Sequence, residues 1–351
     1  MPLIKRRRVS QHVGVDLGPL VKGRHIISLE ELNQKVLAID AYNSLYQFLT
    51  IIRGEGGEPL MDSHGNITSH LSGLFYRTVN IMEKGAKPLY IFDGKPPELK
   101  EREIVRRSQL KKNAESMMYE AISRGDTEAA RRFASMSSRL TESMVSDAKS
   151  LLSCMGLPWV QAPSEGEAEA AYLTSKGVAW ATVSQDYDSL LFGSPRLVRN
   201  LTISGRRKLP RKDVYVNIVP ELVILNEVLK EIELTREQLI DVAILLGTDF
   251  NREGFKGIGH SRALNFIKKY GRLEGIVELQ SELAGLDYQS IRHIFLEPSV
   301  TDIDPPVWKA TDKDAVVKFL CDEHDFSRER VVSALERISL PSTSQSLEKW
   351  F

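Results

Sequence analysis

The stretch "PLYIFDGKPP", residues 88–97, opens as a buried strand and stops on an acid. Leu89, Tyr90, Ile91 and Phe92 suit a sheet covered on both faces. Asp93 ends the run, and Gly94 with Pro96 and Pro97 prevents its continuation. "KVLAIDAYNS", residues 35–44, repeats the pattern, with apolar Val36 to Ile39 ended by Asp40. Two core strands thus each deliver a carboxylate to their last position, the edge at which open parallel sheets bind ligands.

Around strands 35–40 and 88–93, further β-branched or aromatic runs lie at 159–162, 179–184, 197–201 and 214–218. Helical patterns at 41–52, 67–84, 99–124, 127–155 and 165–175 alternate with them. This alternation predicts an α/β fold, a mostly parallel twisted central sheet flanked by helices. From Pro220 onward the pattern reads as almost wholly helical. Residues 95–145 form a long, charged, helical insertion between two strands, broken at Gly125-Asp126, and such an excursion above the strand ends suits a lid.

The 351 residues are 42% hydrophobic and 27% charged, ordinary values for a soluble globular chain. No apolar run approaches the roughly 18 residues of a membrane span, so no membrane partner is expected. Cys154 and Cys321 fit no metal or redox spacing and predict a reducing compartment, cytoplasm or nucleoid. Basic and acidic residues balance at 47 each, yet the positive charge is local. Residues 95–112 hold seven basic and three acidic residues, and residues 196–212 hold seven basic and no acidic ones. Runs of this kind call for counterions or an anionic partner.

Acids recur at further segment ends. "SQDYDSLLFG" places Asp186 and Asp188 after a strand, "LLGTDFN" places Asp249 after an apolar helix, and "APSEGEAEAA" opens a helix with Glu165, Glu167 and Glu169. Taken singly, each has a plain explanation: a helix N-cap, a turn, or a capping box from Ser164 to Glu167. Taken together, they are acids from five distant segments that could converge on one edge. Clustered carboxylates hold protons unless cations compensate them. An all-oxygen set suits Mg²⁺ or Mn²⁺, and the seven histidines form no zinc-hydrolase pattern. A pair of Mg²⁺ ions in such a site is a standard solution to phosphodiester hydrolysis. Helical spacing puts Glu165 and Glu169 on one face and turns Glu167 away, which leaves open which of them bind.

In their order along the chain, "AIDAYNSLYQFL", "TSHLSGLFYRT", "YIFDGKPPELK", "APSEGEAEAA", "SQDYDSLLFGS" and "LLGTDFN" with "GFKGIGHSRA" resemble the flap endonucleases, structure-specific 5′ nucleases of the XPG-like family. The resemblance runs from about residue 13 to 351 and is greatest to the archaeal branch. It implies a PIN-like nuclease core, with an extension at 1–13, core segments at 14–94 and 146–270, a helical gateway at 95–145, a helical region at 271–338 and a tail at 339–351. The 146–270 segment would carry a helix–two-turn–helix element.

The resemblance implies metal ligation by Asp40, Asp93, Glu165, Glu167, Asp186, Asp188 and Asp249, and so prefers Glu167 to Glu169. It makes Lys100 and Arg107 the cations at the gateway base and Tyr46 an aromatic that stacks on a base. It further places Arg53, Thr68, Gly257 and Gly259 at the DNA, with K⁺ held near the last two, and brings Glu165 and Asp249 close to the substrate. Leu347, Trp350 and Phe351 in "SQSLEKWF" resemble a peptide that docks on the sliding clamp (PCNA), although the usual glutamine falls on Ser344 and Gln345 comes one place late. Val13-Gly14 stands where the family has its initial Met-Gly, so a GUG start at Val13 or a basic "KRRR" arm is expected. The implied activity is Mg²⁺-dependent cleavage at the base of 5′ flaps by a monomer, leaving a 5′-phosphate, with an associated 5′–3′ exonuclease. Its implied roles are Okazaki fragment maturation and long-patch base excision repair. The rival activities are a 5′ exonuclease, a Holliday-junction resolvase and a non-catalytic junction scaffold.

Overall fold

The computed structural model describes residues 14–54, 58–203, 205–208 and 215–338. Val13 and the expected clamp-binding residues Leu347, Trp350 and Phe351 lie outside them.

The strands are β1 (Arg24–Ile26), β2 (Val36–Asp40), β3 (Lys87–Phe92), β4 (Trp159–Gln161), β5 (Ala181–Val183), β6 (Arg196–Arg199), β7 (Gly205–Lys208), β8 (Tyr215–Ile218) and β9 (Glu221–Ile224). Among the described residues, seven of them form one sheet in the order β1-β9-β6-β5-β2-β3-β4. The run from β6 to β4 is parallel, and β9 lies antiparallel between β6 and β1. β2, β3 and β5 are largely buried on both faces because helices cover both sides. From β2 the chain builds through β3 to β4 on one side, then returns to β5 and β6 on the other. The carboxyl ends of β2 and β5 therefore flank a topological switch point, where a crevice opens.

Helix α1 (Ala41–Ile51) leaves β2 directly, and α2 (Ser69–Glu83) packs on it before β3. The excursion after β3 holds α3 (Glu101–Ser123) and α4 (Thr127–Met136), with Gly125 at a positive φ of 72° in the turn between them and Asp126 capping α4. Then come α5 (Glu142–Cys154), α6 (Gly166–Ser175) after β4, and the short α7 (Asp188–Leu191) after β5. The C-terminal part holds α8 (Leu225–Ile232), α9 (Arg236–Leu246), α10 (His260–Tyr270), α11 (Gln280–Leu283), α12 (Tyr288–Leu296), α13 (Lys313–Val317) and α14 (Arg328–Arg337). One apolar cluster joins α1, α2 and α5 to α13 and α14 on one side of the sheet. Another joins α7–α10 and α12.

Four expectations are corrected. Residues 127–155 are two helices, because 137–141 leave the helical path and Thr141 caps α5 through the Met144 N–H. The 214–218 run gives β8, which pairs with β7 outside the central sheet. A strand, β9, follows Pro220, where helix was expected, and β1 extends the same edge. Ser164 does not cap α6; Glu165 occupies the N-cap position without a side-chain cap bond. Pro88 is accommodated inside β3 because β4 pairs only with Tyr90 to Phe92, and the Pro88 carbonyl is taken by the Trp308 indole N–H at 2.9 Å.

The seam between α1 and α2 sets the position of everything α1 carries. A Cβ on Gly73 would lie 2.2 Å from Phe48 Cγ, and Phe48 is fully buried. Gly73→Ala is expected to destabilise the fold by about 1–3 kcal/mol through overpacking, although alanine is the better helix former. Urea unfolding measures this, and a gain in stability would contradict the packing.

Candidate active site

Asp40 is the last residue of β2, Asp93 directly follows β3, and Asp186 and Asp188 follow β5. The three strands are neighbours in the parallel sheet, so their final carboxylates meet at one edge. Glu165 and Glu167 arrive from the first turn of α6, after β4. Residues two apart diverge along a helix, but at its N-terminal end both reach the same place. Glu169 turns away: it is fully buried, and its Oε2 accepts the Thr301 N–H at 3.0 Å. Asp249 comes from the loop after α9. All seven predicted carboxylates therefore lie in one electrostatically linked group.

Five of them share a hydrogen-bonding pattern. One oxygen is held by the protein: Asp40 Oδ1 by the Asn43 N–H (2.9 Å), Asp93 Oδ1 by the Gly166 N–H (2.7 Å), Asp188 Oδ1 by the Val15 N–H (2.7 Å), Asp186 Oδ2 by the Asn43 amide (2.8 Å) and Glu167 Oε1 by the Ser184 hydroxyl (2.6 Å). The second oxygen of each accepts no hydrogen bond among the described residues. Buried carboxylates oriented on one oxygen and open on the other suit a hard divalent cation.

Two cations reach into the group. Lys100 bonds to Glu165 and lies 3.5 Å from Asp249, and Arg107 Nη2 donates to Asp249 Oδ1 at 2.5 Å. Burial opposes the charge on Lys100, but Glu165 and Asp249 push its pKa above the lysine range. Among the described residues no three acidic, imidazole or thiol groups form a ready-made metal position; the charges of Glu165 and Asp249 are met by Lys100 and Arg107. Lys100 also draws down Asp40, Asp93 and Asp188, and Arg107 draws down Asp186, but burial and neighbouring acids outweigh both cations. Burial, then the Asp93 charge, raises Asp40 to about 8; burial and Glu165 raise Asp93 to about 6; burial and Asp249 raise Asp188 to about 7. Glu167 and Asp186 are raised by burial and then by Asp188.

The other predicted residues surround this centre. Tyr46 on α1 is half-buried; its hydroxyl accepts from Lys111 of α3 at 3.0 Å, and the Lys111 ammonium lies 4.3 Å from its ring centroid. Arg53, past the end of α1, bonds to the Ala134 carbonyl and the Ser138 hydroxyl beside α4. Thr68 is buried at the start of α2. Gly257 has φ 80°, Gly259 is the N-cap of α10, and a Cβ on either would meet nothing within 4 Å. Sequence reasoning missed Asn43, Ser184 and the backbone at Gly14–Val15. The first two lie inside quoted motifs, while Gly14 is identified by a φ of 83° and by space: a Cβ there would lie 2.9 Å from Asp188 Oδ1.

Comparison with known proteins gives a consistent outcome. Residues 17–114 match the XPG N-terminal domain and residues 156–249 the XPG I-region. The chain is 52% identical to flap endonuclease 1 of Staphylothermus marinus over 350 residues, covering 97% of this chain and 100% of that protein. It is 54% identical to flap endonuclease 1 of Pyrococcus furiosus over 342 residues, covering 97% and 99%. A solved flap endonuclease-1 from Methanococcus jannaschii superposes with a TM-score of 0.72 at 44% identity, covering 93% of this chain and 98% of that one.

Acids whose folded-state pKa lies above the unfolded value stabilise the fold while protonated, and that contribution is lost as pH rises through the folded pKa. Metal-free protein is therefore expected to lose thermal stability between about pH 5 and pH 8, the range set by Asp93, Asp188 and Asp40. Melting in EDTA across this range checks it. A midpoint that rises toward pH 8 would contradict an incompletely compensated cluster.

Proposed function

The chain belongs to the XPG family, in its flap endonuclease branch, and on that premise we propose that it hydrolyses DNA at the base of 5′ flaps with two Mg²⁺ ions held by Asp40, Asp93, Glu165, Glu167, Asp186, Asp188 and Asp249. The observation that carries this reading is the convergence of those carboxylates, five of them oriented on one oxygen and open on the other, beside Lys100 and Arg107. Bound there, the ions would supply an activated water and neutralise charge on the scissile phosphate.

The chain's own groups then have distinct tasks. Lys100 and Arg107, bonded to Glu165 and Asp249, present cations that can transfer to phosphate oxygens as DNA arrives; the planar guanidinium suits two such contacts. Tyr46 exchanges its contact with Lys111 for a base; stacking of that kind contributes roughly 1–3 kcal/mol. Arg53 and Thr68 add contacts to the duplex. The α10 N-terminus, reached through Gly257 and Gly259, offers N–H groups to the backbone of the duplex, with K⁺ bound near the same turn. The 5′ strand passes beneath α3 and α4. Recognition rests on junction shape and phosphates rather than on sequence. A 5′-phosphate product and a 5′–3′ exonuclease activity fit Okazaki fragment maturation and long-patch base excision repair, with the sliding clamp as partner, in the cytoplasm or nucleoid.

Labelled double-flap DNA with Mg²⁺ is expected to be cut at the flap base, and EDTA to abolish cutting. Asp186→Ala is expected to slow cleavage at least about a thousandfold, or ~4 kcal/mol of barrier, while junction binding in Ca²⁺ is retained. Faster cutting of four-way than of flap DNA, or undiminished cleavage by the variant, would reject the assignment.

A further inference from the structure

Glu103 lies in the first turn of α3, between Lys100 and Arg107, and is 6% exposed. Its carboxylate accepts from three guanidinium groups. Arg106 donates through Nε (2.6 Å) and Nη2 (2.9 Å), Arg107 through Nε (2.8 Å) and Arg252 through Nη1 (2.6 Å). Arg107 is thus held at both ends, by Nε on Glu103 and by Nη2 on Asp249.

Arg252 comes from the loop that carries Asp249, and that loop is braced. The Asn251 side chain accepts from the Thr248 N–H (3.0 Å) and hydroxyl (2.7 Å) and donates to the Ile244 carbonyl (2.7 Å). The Gly254 N–H returns to the Asn251 carbonyl at 2.9 Å, and Gly254 has φ 53°. Glu103 therefore joins two segments of different origin, the gateway base and the Asp249 loop.

We propose that Glu103 is a positioning residue: it fixes the Arg107 guanidinium at the carboxylate cluster and, with Arg252, locks the base of α3 to the Asp249 loop, so that Arg107 meets a phosphate already oriented. An exposed helical ion pair contributes little stability and positions little. This carboxylate is buried and faces three cations. Without Glu103 the three cations repel one another, and only Asp249 restrains Arg107. Burial opposes the charge on Glu103, but the Arg106 and Arg107 hydrogen bonds and the Arg107 and Arg252 charges bring its pKa to about 2, so it remains ionised at neutral pH.

The inference rests on the reading that Arg107 meets the scissile phosphate, and the test separates the two. Wild type, Glu103→Gln, Arg107→Ala and the double variant are compared in single-turnover flap cleavage. Glu103→Gln is expected to slow cleavage about 10–100-fold, as loss of an orienting partner does, with flap affinity in Ca²⁺ unchanged within about twofold. The double variant is expected to be no slower than Arg107→Ala alone, because Glu103 acts through Arg107. Additive losses, or full activity in Glu103→Gln, would overturn the proposal. Nitrogen-15 spectra of the arginine Nε–H groups decide it even if wild type cuts no flap, the result that would sink the functional reading. Glu103→Gln should lose exchange protection at Arg107 but keep it at Arg292, which bridges Asp241 and Glu274. Protection retained at Arg107 would reject the role.

Discussion

Mutual repulsion among buried carboxylates is the constraint on which the rest of this structure depends. Parallel strands β2, β3 and β5 end at one edge, so acids placed at their last positions are forced together whatever their preference. The fold tolerates the arrangement through three devices visible in the site. Backbone N–H groups of Val15, Gly166 and Asn43 each orient one oxygen. Lys100 and Arg107 meet the charges of Glu165 and Asp249. The others move toward the protonated form, as the raised Asp40, Asp93 and Asp188 show. None of these devices neutralises the whole cluster, and the apolar packing of the helices around the sheet holds it closed.

The same constraint couples the site to α3. Lys100 and Arg107 stand at the foot of α3, a 23-residue helix whose buried residues are only Glu103, Ala114 and Ala121. A helix with so little apolar burial belongs to the less stable end of a fold, the part most easily rearranged by a ligand. Its base is the exception, tied to the carboxylates and to the loop after α9. Farther up, Lys111 rests on Tyr46, while Arg53 and Ser135 join the end of α1 to α4. The far ends of α3 and α4 thus lean on these polar contacts with α1, above a foot tied to the carboxylates.

How much of this was legible depended on the kind of signal. Strands bounded by Asp40 and Asp93 were readable because each is a short apolar run that stops on an acid, and after Asp93 a glycine and two prolines bar continuation. The pairing of Glu165 with Glu167 was not readable from helical spacing, which favours Glu169. The resolution lies in position, since at the N-terminal end of α6 both side chains project past the helix, whereas Glu169 is drawn into the core toward Thr301. β9 was hidden because "ELVI" runs straight into the helical pattern of α8, and only its pairing with β6 and β1 makes it a strand. Glu103 was hidden among alternating charges, and three arginines, one of them distant in sequence, distinguish it from a solvated helix face.

The central claim is that these seven acids form one site for a pair of hard cations. Its most direct test is anomalous scattering from crystals soaked in Mn²⁺. Two peaks about 4 Å apart among Asp40, Asp93, Glu165, Glu167, Asp186, Asp188 and Asp249 are predicted. Peaks confined to the surface, with none among these oxygens, would contradict the account.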